Sequence, residues 1–262
     1  MLSRLGWAGR WLLGSALALA LCEPYADQDR DEPGDRRRGD LLVEQPGTVE
    51  ERGRRDHVAD EHEEVYVSVG RHPHESKDLE PEAIDEIEEL ARHPKVRAIG
   101  ETGLDYKREY SPPQDQQLAF ELQIEVALRL HLPLVVHTRE AERDTFTILD
   151  RYSGHGIPII MHCFSLTGWV DECIDRGFYC SFAGNLTYPQ ADELREAAKL
   201  IPDELLLVET DAPFLAPQEH RGKDNEPAFV RSTAAYLAEL RGQTYEQLEQ
   251  VVESNAAWIF RW

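Results

Sequence analysis

Apolar residues follow two regimes along this chain, and the change falls near residue 64. Beyond it, short β-rich apolar runs recur at 65–70 (VYVSVG), 96–101 (VRAIGE), 133–138 (PLVVHT), 159–164 (IIMHCF), 178–184 (FYCSFAG) and 205–210 (LLLVET). They are runs rather than alternations, as expected of strands buried on both faces. Helical spacing fills the gaps. Ile84, Ile87, Leu90 and Ala91 predict a helix over 81–93 that His93-Pro94 stops. Leu118, Leu122, Val126 and Leu130 predict a second over 113–130, and further helices follow at 139–152, 168–176, 189–200, 226–241 and 244–259. Strand ends return about every 28 residues, the length of a βα unit. Six such units in series imply a parallel sheet with right-handed crossovers, either open and doubly wound or closed into a barrel.

The first 64 residues read differently. Arg4 and Arg10 precede an apolar run at 11–22, and Glu23-Pro24-Tyr25-Ala26 follows. That order fits a secretory signal peptide; the alternative is an Ala/Leu-rich stretch without that role. Residues 27–64 are dense in charge, and 27–56 bury too little apolar surface to offset chain entropy. A short strand at 41–44 is the one weak exception. The chain thus divides into an atypical segment over 1–57 and a barrel-forming domain over 58–262.

Composition narrows the function. Lys and Arg total 28 against 50 Asp and Glu, a formal charge of −22, with 41% hydrophobic residues. The apolar fraction supports a real core. The acidity excludes a broad basic face for gripping nucleic acid, but not a nuclease that meets phosphate through bound metal. Cys22, Cys163, Cys173 and Cys180 make neither a disulfide framework nor a CxxC zinc ribbon. No apolar run reaches the roughly 18 residues of a membrane span.

Ligand-type residues gather at the strand ends. The first strand runs into Arg71-His72-Pro73-His74, the second ends at Glu101, the third carries His137, the fourth His162, and the last leads through Glu209 to Asp211. In a β/α barrel these ends form one rim, where active sites are built. Singly, each has a bland reading: a hydrogen-bonded structural histidine, a capping glutamate, an Asx-turn aspartate. Together, two histidines and two carboxylates converging on one mouth are ligands for a divalent cation such as Mg, Mn or Zn.

The strings GRHPHE (70–75), AIGETGLDY (98–106), PLVVHTREA (133–141), MHCFS (161–165), GFYCSFAG (177–184), LLVETDAPFLAP (206–217) and HRGKDNEPAFV (220–230), with Asn255-Ala256-Ala257 and Phe260 near the end, resemble the TatD family of metal-dependent deoxyribonucleases. The resemblance covers about 60–262. It implies a TIM (β/α)8-type barrel of the amidohydrolase kind, a two-metal site, and 3′-5′ exonuclease or related phosphodiesterase activity on DNA. By motif, Glu101 resembles the ligand joining the two metals, and His137 and His162 resemble ligands of one of them. Asp211 resembles the last-strand ligand and a base for the attacking water. His72, Arg221 and Asn225-Glu226 resemble the rim that meets the substrate phosphate and orders the last loop.

The family's first strand carries an HxH pair, and this chain has none there. The histidines before His72 are His57 and His62, in a charged stretch, and His72-Pro73-His74 follows a later strand of the family pattern. Six recognisable units against the eight of a closed barrel predict an incomplete barrel. A shift of reading frame upstream of about residue 58, or a genuine replacement, accounts for the change. The expectation is about one weakly held metal per chain, poor solubility and slow hydrolysis. Two other classes compete: a degenerate, non-catalytic barrel, and an amidohydrolase acting on a small C–N or ester bond. The expected location is the cytoplasm, or outside it if 1–26 is a true signal. No obligate protein partner and no membrane contact are expected.

Overall fold

The computed structural model describes residues 65–261, except 78, 80, 109, 153 and 155. The expectations for the signal-like stretch, the charged segment and the strand at 41–44 lie outside the described residues, as do His57 and His62.

Six strands form one parallel sheet in sequential order. They are β1 (Val67–Val69), β2 (Val96–Asp105), β3 (Leu134–Arg139), β4 (Ile159–Met161), β5 (Tyr179–Phe182) and β6 (Leu206–Val208). Helices follow at α1 (Pro81–Leu90), α2 (Pro113–Leu130), α3 (Glu142–Arg151), α4 (Val170–Arg176), α5 (Asp192–Leu200), α6 (Val230–Arg241) and α7 (Tyr245–Phe260). Sequential order is barrel winding; a doubly wound sheet reverses direction at a switch point. Among the described residues β1 and β6 remain the two edges, so the sheet is an unclosed TIM-type barrel. No helix among them is long and apolar enough to cross a membrane.

The sheet divides the core into two layers. Between sheet and helices lies the larger cluster, with Phe120, Ile124, Leu134, Val136, Ile148, Met161, Phe164 and Phe182 all buried. On the other face Ala98, Val135, Ile160 and Leu207 pack against Ala256, Ile259 and Phe260 of α7. The C-terminal helix therefore covers part of the interior apolar layer. Asn255 fastens it there, its Nδ2 donating to the carbonyls of Asp203 (2.7 Å) and Leu206 (2.8 Å). A capping box at Thr244 and Gln247 starts the same helix.

One expectation is corrected. The second strand does not end at Glu101 but runs on to Asp105. Ile99 pairs with Leu134 while Thr102 pairs with Val136, so β2 carries an extra residue, a bulge at Gly100–Glu101. Of the stripe that predicts α2, Val126 is buried, Leu122 and Leu130 are half-buried and Leu118 is 54% exposed; the face turned inward is Gln116, Ala119, Phe120, Gln123, Ile124, Val126 and Ala127. The two amides are buried because they hold strand ends. Gln116 accepts from the N–H of Asp105 (2.7 Å) and donates to its carbonyl (3.0 Å). Gln123 accepts from the N–H of Arg71 (2.6 Å) and donates to Thr102 Oγ1 (2.7 Å).

Candidate metal centre

The β2 bulge decides where Glu101 points. Bulges re-aim side chains next to active sites, and here the carboxylate enters a ring of imidazoles. Glu101 Oε1 lies 2.7 Å from His137 Nδ1, 3.7 Å from His162 Nε2 and 3.8 Å from His72 Nε2. Two glycines let β2 approach β3 this closely. A Cβ on Gly100 would meet Val135 O at 2.6 Å, and one on Gly103 would meet His137 O at 2.0 Å.

His162 links Glu101 to the last strand. Its Nε2 is 3.5 Å from Asp211 Oδ1, and its Nδ1 is 2.9 Å from Glu209 Oε1. That same glutamate oxygen accepts the N–H of Cys163 at 3.2 Å, while Glu209 Oε2 is buried with no hydrogen-bond partner. Cys163 and Asp211, which flank this corner, both take positive φ (43° and 57°). Such backbone is sparse outside glycine and gathers at functional sites.

Glu101, His137, His162 and Asp211 thus stand in one connected cluster at the sheet's C-terminal rim. His72 joins it. Buried at the start of the turn Pro73–Glu75, it accepts the N–H of His74 at Nδ1 (3.2 Å), so its Nε2 carries the proton when the ring is neutral. Arg221 stands apart on the loop after Asp211. It is exposed, its guanidinium lies 4.3 Å from the ring centroid of Tyr188, and Nη1 donates to Tyr188 Oη at 2.8 Å. Asn225 orders that loop by donating from Nδ2 to the carbonyls of Thr210 (2.7 Å) and Phe214 (2.6 Å).

Three residues outside the predicted site belong to this network. Asp105 closes β2 and meets both His74 Nε2 (2.9 Å) and His137 Nε2 (3.3 Å). His74 is the second of them. Glu209 is the third, and it had a signal: it precedes Asp211 by two positions, the same-face spacing of a strand. By donor type and proximity, His72, Glu101 and His137 form one group able to hold a cation, and His162, Glu209 and Asp211 form another.

The electrostatics follow from close packing of opposite charges. Burial pushes the Glu101 carboxyl up, but His162, His72 and His137 outweigh it and hold the group well below the usual carboxylate range. Burial likewise opposes ionisation of Asp105, and hydrogen bonds from His137 and His74 overcome it. Burial alone would lower His137; Asp105 and Glu101 raise it to about 9. His162 is raised well above its ordinary value, since Glu209 and Glu101 outweigh its burial. Asp211 moves the other way from Glu101: burial, against the help of His162, pushes it up to about 6.

A family model described as TatD related DNase matches residues 39–261. The chain belongs to this family. Among relatives of this TatD chain, the "Uncharacterized metal-dependent hydrolase YabD" of Bacillus subtilis is 40% identical over 205 residues, covering 78% of this chain and 80% of the relative. The "3′-5′ ssDNA/RNA exonuclease TatD" of Citrobacter koseri is 37% identical over 201 residues, covering 74% and 77%. Among solved structures, the TatD homolog YJJV of Escherichia coli superposes with a TM-score of 0.75 at 26% identity, covering 82% of this chain and 83% of that one. This agrees with the barrel-type winding and with a TatD-family hydrolase.

Proposed function

We propose that this TatD-family chain is a divalent-metal-dependent phosphodiesterase that shortens single-stranded DNA or RNA from the 3′ end. The observation that carries the reading is the buried cluster at the sheet rim, in which Glu101 Oε1 faces three imidazoles and His162 leads on to Asp211. Mixed imidazole and carboxylate donors suit Mg, Mn or Zn. The buried, unbonded Glu209 Oε2 is a further sign that this pocket is built around a positive charge. The substrate class rests on the exonuclease relatives.

In this reading Glu101, His137, His162 and Asp211 hold the cation. When bound, it supplies positive charge against the phosphate oxygens and a nucleophile at neutral pH. The chain's own residues do the rest. Asp211 takes the proton of the attacking water and returns it to the leaving oxygen. A water oxygen bonds to phosphorus, the P–O bond to the shortened strand's 3′ oxygen breaks, and that oxygen departs as a hydroxyl. The freed nucleotide keeps the 5′-phosphate. His72 Nε2–H and the Arg221 guanidinium meet the phosphate, the latter held over the ring of Tyr188.

The missing first-strand HxH predicts slow turnover. We place the chain in the cytoplasm, where the free thiols at Cys163, Cys173 and Cys180 suit a reducing compartment. The test is incubation of 5′-labelled single strands with Mg, Mn or Zn. A ladder shortened from the 3′ end, abolished by chelation and by Asp211→Asn, is expected. Intact strands with all three metals, alongside cleavage of a small cyclic amide, overturn the reading in favour of an amidohydrolase.

A further inference from the structure

Asp105 is fully buried at the end of β2, and both of its carboxylate oxygens are engaged. Oδ1 accepts the N–H groups of Lys107 (2.8 Å) and Arg108 (3.0 Å), which pin it to the following turn. The main chain at Asp105 is held on both sides by Gln116. Oδ2 is thereby turned into the site, where it meets His74 Nε2 at 2.9 Å and His137 Nε2 at 3.3 Å.

A carboxylate only accepts, so an imidazole nitrogen that bonds to it carries a proton. Nε2 of His137 is then N–H, and so is Nδ1, which meets Glu101 at 2.7 Å in the metal-free chain; a cation held by Glu101 takes the place of the Nδ1 proton, while the fully buried Asp105 keeps the one on Nε2. The second arm runs through His74. His74, whose ring is tied to Asp105, gives its backbone N–H to His72 Nδ1 at 3.2 Å in the turn that His72 caps, leaving the protonated Nε2 of His72 toward Glu101. One oxygen atom thus governs two neighbouring histidines.

We infer that Asp105 is a positioning residue: by holding Nε2 of both His137 and His74 on its Oδ2, it selects Nδ1 of His137 for the metal and Nε2–H of His72 for the substrate phosphate. The inference rests on the metal-dependent reading above, but it concerns ring nitrogens and not turnover. Asp105→Asn separates this role from a merely structural one. The amide can keep Oδ1 for the turn and replace Oδ2 by an NH2 donor. His137 Nε2 must then accept, which leaves the ring's proton on Nδ1, the nitrogen that faces Glu101.

The experiment uses the full chain, 15N-labelled at histidine and loaded with zinc alone. In the unmodified protein, proton–nitrogen correlation is expected to show His137 coordinated through Nδ1 with Nε2–H retained. Asp105→Asn is expected to lower zinc affinity about 10–100-fold, the usual effect of removing a group that orients a ligand. Coordination of His137 through Nε2, or zinc affinity unchanged in a folded Asp105→Asn chain, overturns the inference. If the variant does not fold, the spectrum of the unmodified protein still decides. Neither measurement uses a substrate, so the expected ring pattern in a chain that fails to cleave nucleic acid overturns the nuclease reading and leaves this one standing.

Discussion

Oε1 of Glu101 lies 2.7 Å from Nδ1 of His137, although the two residues sit on different strands and Glu101 occupies a bulge. Without the extra residue in β2, the period-two alternation of the strand would turn Glu101 to the opposite face. The contact therefore depends on backbone geometry as much as on the two side chains.

Glu101→Gln tests the cluster directly. The amide keeps the volume but loses the charge that faces three imidazoles. Divalent-metal affinity by calorimetry should fall by more than the roughly 10–100-fold typical of supporting groups. The metal-free chain should keep its fold, and the His137 pKa should drop from about 9, read by NMR titration. An affinity within twofold of the unmodified chain would remove Glu101 from the ligand set.

Much of this was legible in the sequence because it rests on simple periodicities. Six strands and their helices follow from buried runs and 3.6-residue spacing, and His137, His162 and Asp211 stand out by their place at or just past the strand ends, whereas Glu101 lies inside β2 and owes its place to the bulge. What was not legible depended on partners far away in the chain. Gln116 and Gln123 are buried polar residues, which hydropathy assigns to a solvent face; only Asp105, Arg71 and Thr102, brought near by the fold, explain them. The bulge at Gly100–Glu101 hid the true end of β2 for the same reason, since pairing register is a property of two strands.

Gly103→Ala tests the close approach of β2 to β3. Gly103 has φ 137°, and an added Cβ would lie 2.0 Å from the backbone oxygen of His137, with which it pairs. Strain and overpacking add, so a loss of about 3 kcal/mol or more is expected. Urea denaturation should show a lower midpoint with an unchanged slope.

Metal content should be about one divalent cation per chain by elemental analysis, since four donors converge in one cluster while the first-strand HxH is missing. At a cation concentration a hundred times its Kd, stability should rise by about 2.7 kcal/mol, read as a higher Tm. Replacing residues 1–57 with a strand–helix segment bearing HxH should raise both metal content and rate. Two equivalents in the unmodified chain would overturn that ligand count and call for a stand-in, His57, His62 or His74 from the sequence, or His72 or Glu209 from the two clustered groups.

The pH dependence has a definite sign. His137 is raised from 6.5 to about 9 in the metal-free fold, so its contribution is fully present below about pH 6.5 and is lost as pH climbs through 9. Asp211, raised from 3.8 to about 6, binds its proton more tightly in the folded state, so it also costs stability as pH rises between those values. A cation must displace both protons. Metal affinity should therefore increase with pH from about 6 to 9, and the gain in Tm on adding metal should widen over the same range. Over most of that range Asp211 is already ionised, so a gain that is flat from 6 to 9 would mean that His137 gives up no proton to the metal.

Arg221 offers a separation of binding from chemistry. Its guanidinium is exposed, stacked on Tyr188 and hydrogen-bonded to that ring's hydroxyl, so it is held in place without being spent on an ion pair in the cluster. Arg221→Lys keeps the charge but loses the planar fork and the stacking, so it should behave more like Arg221→Ala than like the parent chain. Both variants should bind metal with parental affinity, because none of the four cluster residues is touched. With single-stranded substrate, KM should rise several-fold while kcat changes little, and the salt dependence of binding should become shallower as one phosphate contact is lost. If instead kcat falls with KM unchanged, Arg221 acts on the transition state rather than on substrate capture, and its place at the rim must be reassigned.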